Sequence, residues 1–148
     1  GRIHKGTPFE GDGGIPHHGH SPDDVAGPAW NLIHNFNLGL VARMADALAA
    51  LPEGNGTALD NTVFLYMSDN GGEHHSKHDR YPLLLLGTAG KALKSDGRFI
   101  RYPKKGSAGS RSLADLFCTI ATACGVPTDD FGQGGNEPVK GPLGEILA

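Results

Sequence analysis

Two short apolar runs on either side of a polar segment constrain the fold of this chain most. Residues 62–67 are β-branched, aromatic or otherwise apolar, and residues 83–86 are four consecutive leucines that follow Pro82. Apolar runs of this length are typical of strands that are buried on both faces. The sequence therefore predicts a sheet with two buried strands, which are joined by the polar segment 68–82.

A long amphipathic helix is predicted before this sheet. Pro28 suits its first turn, and the glycine- and proline-containing breaker 52–56 ends it. Apolar side chains recur along it at helical spacing, namely Trp30, Ile33, Val41, Met44, Leu48 and Leu51.

Two further elements follow the apolar runs. Residues 98–102 alternate between polar and apolar side chains, which predicts a half-exposed or edge strand. Ser112 or Ser110 can cap a last helix that continues through Ala123 and has Gly125 as its left-handed terminator. The order of helix, strand, strand and helix predicts an α/β fold, in which a small layered sheet has flanking helices.

Length and composition predict one domain with long loops. The chain has 148 residues, of which 23 are glycine and 10 are proline. Residues 1–27 have no apolar periodicity and are expected to form a histidine-rich loop. Residues 129–148 are again rich in glycine and proline, which indicates a surface tail.

Charge and hydropathy argue against several partners. The net charge of −3 argues against a nucleic-acid partner, and no apolar run approaches the ~20 residues that span a bilayer, so no membrane partner is expected. The first residues show no hydrophobic signal-peptide core and no starting Met, so the cellular compartment stays open. Cys118 and Cys124 point in different directions on the predicted last helix and are expected to be core thiols.

Six of the eight histidines lie in two short polar segments, residues 16–20 and 69–78. Imidazole and carboxylate groups are ligands that suit zinc, with manganese or iron as alternatives. The second segment directly follows a predicted buried strand, where open α/β sheets hold their ligands. The sequence therefore predicts a metal site whose candidate ligands are Asp69, Asn70, His75, His78, His17 and His18.

The candidate residues differ in their expected roles. Asp69 is the firmest ligand, because a carboxylate at the end of a buried strand is costly unless it is paired. Asn70 either coordinates through its amide oxygen or supports the turn. Adjacent histidines cannot easily share one ion, so His74 or His20 is left as general acid or base. Solvated loop histidines and a structural zinc site are the alternatives.

Several segments resemble one protein family. They resemble the C-terminal half of uncharacterised bacterial proteins of the DUF1552 type, which have DUF1501 proteins as relatives and are similar to the alkaline phosphatase-like superfamily. The matching segments are residues 16–20, 59–69, 81–87, 97–102, 113–127 and 131–132, together with His75 and His78.

The resemblance implies an α/β sandwich with one or two metal ions. It makes Asp69 and Asn70 the metal-binding pair, His75 or His78 the later ligand, and His17 or His18 the upstream ligand. Its relatives suggest an exported or periplasmic location in bacteria.

One departure from that family shapes the expected chemistry. In relatives, the nucleophilic Ser or Thr lies in an N-terminal half that this sequence lacks, so attack by metal-bound hydroxide is expected instead. The expected function is therefore hydrolysis of small phosphomono-, di- or triesters, with a homodimer covering an exposed sheet edge. The alternative is a non-catalytic metal-binding fragment, or a lobe that needs a partner chain to complete its site.

Overall fold

The computed structural model describes residues 26–68, 81–132 and 138–148, with the backbone alone for residues 26–30. The chain divides into two compact units. The first consists of Gly1–Met44 and Ser68–Pro82, and the second consists of Ala45–Met67 and Leu83–Ala148. In chain order the elements are α1 (Ala26–Ala49), β1 (Pro52–Glu53), β2 (Gly56–Thr57), α2 (Ala58–Asn61), β3 (Phe64–Met67), β4 (Leu83–Leu86) and α3 (Leu113–Ala123).

The described residues have a mixed α/β structure with small antiparallel sheets. The predicted long helix is confirmed as α1, which has Pro28 in its first turn. The predicted breaker becomes a tight hairpin, in which Pro52 pairs with Thr57 and Glu53 with Gly56. Among the described residues, no helix has both the length and the apolar character needed to cross a membrane.

The two apolar runs form one antiparallel pair. Phe64 is opposite Leu86, and Met67 is opposite Leu83. The prediction that both strands are buried on both faces is wrong, because β3 is only half-buried and the first two leucines of β4 are exposed. Among the described residues this sheet has two strands. A sheet this narrow has a small surface for other elements to pack against, so its side chains stay partly exposed.

Gly87 allows β4 to end close to the start of β3. Its φ is +82°, and a Cβ atom added there would lie 2.1 Å from the carbonyl oxygen of Thr62. Beyond this turn, the Thr88 hydroxyl donates a 2.7 Å hydrogen bond to the carbonyl oxygen of Asp60. Glycine is therefore required at this turn both for its backbone angle and for lack of space.

The predicted strand over residues 98–102 is wrong, because this segment is irregular. Its alternation nevertheless describes which side chains turn inward. Ile100 and Tyr102 pack against the core, whereas Phe99 is exposed. Alternation therefore identified the buried face, although the backbone has no partner strand in the described part of the chain.

Helix α3 is confirmed with the cap at Ser112, whose side chain accepts a hydrogen bond from the N–H of Asp115 while the Asp115 side chain accepts one from Ser112. Gly125 follows with a φ of +83°, as predicted. Cys118 is a buried thiol, but Cys124 is exposed, which corrects its assignment to the core. Cys124 is exposed because it lies at the C-cap, beyond the helical face that is buried.

The C-terminal residues complete the core and are no surface tail. Leu143 and Ile146 are buried with Leu116 of α3, and Leu147 forms a bridge with Leu93. The core is completed by the half-buried side chains of Leu65, Leu85, Ile100, Tyr102, Leu113 and Ile120. Despite the glycine and proline content of this segment, two of its apolar residues, Leu143 and Ile146, are buried, and their burial ties the C-terminus to α3.

Candidate functional site

The predicted metal and catalytic residues lie outside the described residues. This applies to the candidate ligands Asp69, Asn70, His75, His78, His17 and His18, and to the candidate proton-transfer residues His74 and His20. In the part of the chain that the structure does describe, no group of three or more His, Cys, Asp or Glu side chains could hold a metal ion. The metal-site prediction continues to depend on the two histidine-rich segments.

The described strands fix where the second histidine-rich segment is attached. The chain leaves β3 at Met67 and returns to β4 at Leu83, and these two residues pair directly. The antiparallel register therefore holds the two residues that flank segment 68–82 side by side at one end of the β3–β4 pair. Closing a loop in this way removes part of the conformational entropy that convergence of its donor groups would otherwise cost.

The carboxylate of Asp115 has several polar partners in the described structure. Its side chain is fully buried on the first turn of α3. Oδ2 accepts a 2.8 Å hydrogen bond from the N–H of Ser112, and Oδ1 accepts a 2.6 Å hydrogen bond from the N–H of Lys140. A buried carboxylate requires such partners, because an unpaired charge in the core is strongly unfavourable.

Two basic side chains complete this polar centre. Nε of Arg111 lies 3.3 Å from Oδ2 of Asp115, as an ion pair without hydrogen-bond alignment. The Arg111 guanidinium also donates to the carbonyl oxygens of Gly141 and Pro142. Nζ of Lys140 donates 2.6 Å and 3.2 Å hydrogen bonds to the carbonyl and hydroxyl oxygens of Ser110. Arg111 therefore joins α3 to the C-terminal segment, and Lys140 joins that segment to the residues just before α3.

Opposing effects act on the pKa of Asp115. Burial acts to raise it, but hydrogen bonds from the backbone of Ser112 and Lys140 and the charge of Arg111 together hold the pKa below its usual value. Both carboxylate oxygens are occupied by donors. A base in this state would have to break a structural contact before it could take a proton, so Asp115 is an anchor of the fold.

Thr119 extends this anchor along α3. Its hydroxyl donates a 2.7 Å hydrogen bond to the carbonyl oxygen of Asp115 and accepts one, also 2.7 Å, from the N–H of Leu143. Burial raises the pKa of the neighbouring Cys118 thiol, with the charge of Asp115 as a further cause. A raised pKa keeps this thiol protonated and unreactive near neutral pH.

A second polar group surrounds Glu145. The Tyr102 hydroxyl donates a 2.6 Å hydrogen bond to Oε1 of Glu145, and burial, together with this bond, raises the pKa of Tyr102. Arg98 donates to the carbonyl oxygen of Glu145 at 3.0 Å and forms an ion pair with Asp96. The hydrogen bond from Arg98 lowers the pKa of Asp96 to about 2.

Sequence reasoning missed the Asp115 anchor, although a signal for it was present. Ser112 and Asp115 have the spacing of a capping box, and so do Thr57 and Asp60. Ser112 or Ser110 was predicted as the cap of α3, but no role was assigned to Asp115. The contribution of Lys140 could not be inferred, because it depends on the C-terminal segment returning to α3.

Comparison with known proteins adds no further assignment. The chain matches no protein-family model, no curated protein and no solved structure. The family resemblance described above therefore stays a prediction, and the function rests on this chain's own residues.

Proposed function

We propose that this chain is a metal-dependent hydrolase of small phosphoesters, with a truncated alkaline phosphatase-like fold. The observation that carries the proposal is the attachment of one histidine-rich segment. Met67 and Leu83 pair at the end of β3 and β4 from which that segment leaves and to which it returns. Its imidazole and carboxylate donors then belong to a closed loop, which favours their convergence on one ion.

The donor set fits a catalytic divalent metal. Asp69, Asn70, His75 and His78 would hold it from the closed loop, and His17 or His18 from the upstream segment. These are oxygen and nitrogen donors of the kind that zinc, manganese and iron accept. When bound, the ion supplies a Lewis acid for the phosphoryl oxygen and lowers the pKa of a bound water.

The remaining histidines would move the proton. His74 or His20, free of the metal, would take a proton from the attacking water or give one to the leaving group. An unperturbed histidine has a pKa of about 6.5, so it can do either near neutral pH. Water is the proposed nucleophile because a bound zinc ion can lower the pKa of water to about 7.

The test is turnover by the full chain on phosphomono-, di- and triester substrates, before and after chelation. We expect turnover that is lost with a chelator and restored by zinc, manganese or iron. Asp69→Ala should abolish turnover, whereas His34→Ala, a change on α1 outside both segments, should retain it. Undiminished turnover in metal-free protein would exclude the mechanism.

The second candidate is a metal-binding lobe without catalysis of its own, completed by another chain or by a second copy. The exposed leucines at the start of β4 favour it, since a neighbouring chain could cover them. It predicts bound metal without turnover on any ester, and a particle mass above that of one chain in size-exclusion chromatography.

A further inference from the structure

One segment has a charge opposite to that of the rest of the chain. Residues 97–110 contain four basic side chains and no acidic one, so they carry +4, whereas the whole chain carries −3 and the remainder therefore carries −7. Charges separated by more than about 8 Å are largely screened at physiological salt. A partner near this segment would respond to its local positive charge and not to the net charge.

Within this segment, residues 98–102 are held in place at both ends. Arg98 donates to the carbonyl oxygen of Glu145 at 3.0 Å, and the Tyr102 hydroxyl donates to the carboxylate of the same residue at 2.6 Å. Between them, Ile100 packs against the hydrophobic core. Three contacts within five residues thus fix the backbone of an otherwise irregular segment.

This fixed segment displays an aromatic side chain to water. Phe99 is 90% exposed, although Ile100 beside it is partly buried. A large apolar side chain that is held outward costs little further ordering on binding. Its position between two anchored neighbours indicates a contact residue for a partner.

The cations around Phe99 are available for a partner as well. Arg101, Lys104 and Lys105 are exposed, and within the described ranges none of them has an ion pair or a hydrogen bond through its side chain. Arg98 is occupied by Asp96 and Glu145. The segment therefore presents one aromatic ring and three uncommitted positive charges.

We propose that residues 98–105 dock the protein on an anionic lipid surface. Phe99 inserts at the level of the headgroups, and Arg101, Lys104 and Lys105 interact with lipid phosphates. Binding to such a surface increases with the apolar area that is inserted and with the attraction of basic side chains to anionic lipids, and this segment offers both. The absence of a membrane partner was expected because no apolar run is long enough to span a bilayer, and this criterion does not detect a segment that binds at the membrane surface.

Single-stranded nucleic acid fits the segment less well. Such binding uses several aromatic side chains on which successive bases stack. Here Phe99 is the exposed aromatic, whereas Tyr102 packs against the core and its hydroxyl is bound to Glu145. A lipid surface needs only one inserted ring and diffuse positive charge.

The test is co-sedimentation of the full chain with vesicles of phosphatidylcholine alone or mixed equally with phosphatidylglycerol. We expect binding to the mixed vesicles only, weakening as salt is raised. Replacing Arg101, Lys104 and Lys105 together by serine should weaken binding by about fivefold for each charge removed. Phe99→Ser should weaken it about tenfold by loss of the inserted ring.

Matched controls separate the segment from the general surface. Val126→Ser removes an apolar side chain that is 67% exposed elsewhere, and Arg43→Ser removes an exposed cation on α1. Both controls should bind as the unchanged protein does. The proposal is overturned if the protein fails to bind, if it binds phosphatidylcholine equally, or if the controls weaken binding as much. It is also overturned if a single-stranded oligonucleotide binds through Phe99 and displaces the vesicles.

Discussion

The backbone N–H of Lys140 donates a 2.6 Å hydrogen bond to Oδ1 of Asp115. This bond links the C-terminal segment to the first turn of α3, and the fully buried carboxylate has no access to water as a substitute partner. The capping box of α3 therefore serves two purposes. It begins the helix, and it also holds the last residues of the chain against the core.

Asp115→Ala should destabilise the protein by about 3 kcal/mol or more, because it removes one partner of a buried ion pair and leaves buried donors unsatisfied. The chain offers a matched control in Asp60, which has the same capping-box role in α2 but is only partly buried. Asp60→Ala should cost clearly less, because it removes only the capping contacts of a short helix whose donors stay accessible to water. Urea denaturation of both variants measures the difference, and equal losses would contradict the anchoring role of Asp115.

The stability of the protein should fall in acid through Asp115. The pKa of Asp115 is lowered in the folded state, so the folded chain binds this proton less tightly than the unfolded chain does. In the unfolded chain the pKa of an aspartate is about 3.9. The stabilisation is therefore present above that pH and is lost as the pH falls through the folded pKa. Compared with Asp115→Asn in denaturant titrations, the stability advantage of the unchanged protein should be constant above about pH 5 and shrink below about pH 4. An advantage that grows in acid would contradict this assignment.

Gly87→Ala should be far more damaging than Gly97→Ala. Both glycines have positive φ angles, +82° and +75°, but a Cβ at Gly87 would lie 2.1 Å from the carbonyl oxygen of Thr62, whereas nothing lies within 4 Å at Gly97. Gly97→Ala should cost about 1 kcal/mol, from its backbone angle alone. Gly87→Ala should cost about 4 kcal/mol or more, because backbone atoms must move. Thermal denaturation of the two variants measures the difference. Equal losses of stability would contradict this account of the turn.

The helices could be predicted well because a helix is specified by residues that are close together in the sequence. Helical spacing and a terminal breaker located α1, and a serine cap with a following glycine located α3. The segment 98–102 shows the limit of such patterns. Alternation correctly indicated the inward side chains, but a strand also needs a neighbour, which no local pattern provides.

The contribution of the C-terminal segment could not be predicted from composition. Glycine and proline suggested a surface tail, yet Leu143 and Ile146 enter the core and Lys140 binds Asp115. These contacts join residues that are about 25 positions apart in sequence. The candidate metal ligands are known from residue chemistry and spacing alone, since they lie outside the described residues.

Metal content of the purified full chain tests the central proposal most directly. Elemental analysis should find zinc, manganese or iron in stoichiometric amount, with little metal bound to Asp69→Ala and an unchanged amount bound to His34→Ala. Asp69 is chosen because it is the carboxylate among the candidate ligands and lies two residues after the end of β3. Full metal occupancy in Asp69→Ala, or a chain that binds no metal when these ions are supplied, would contradict the account.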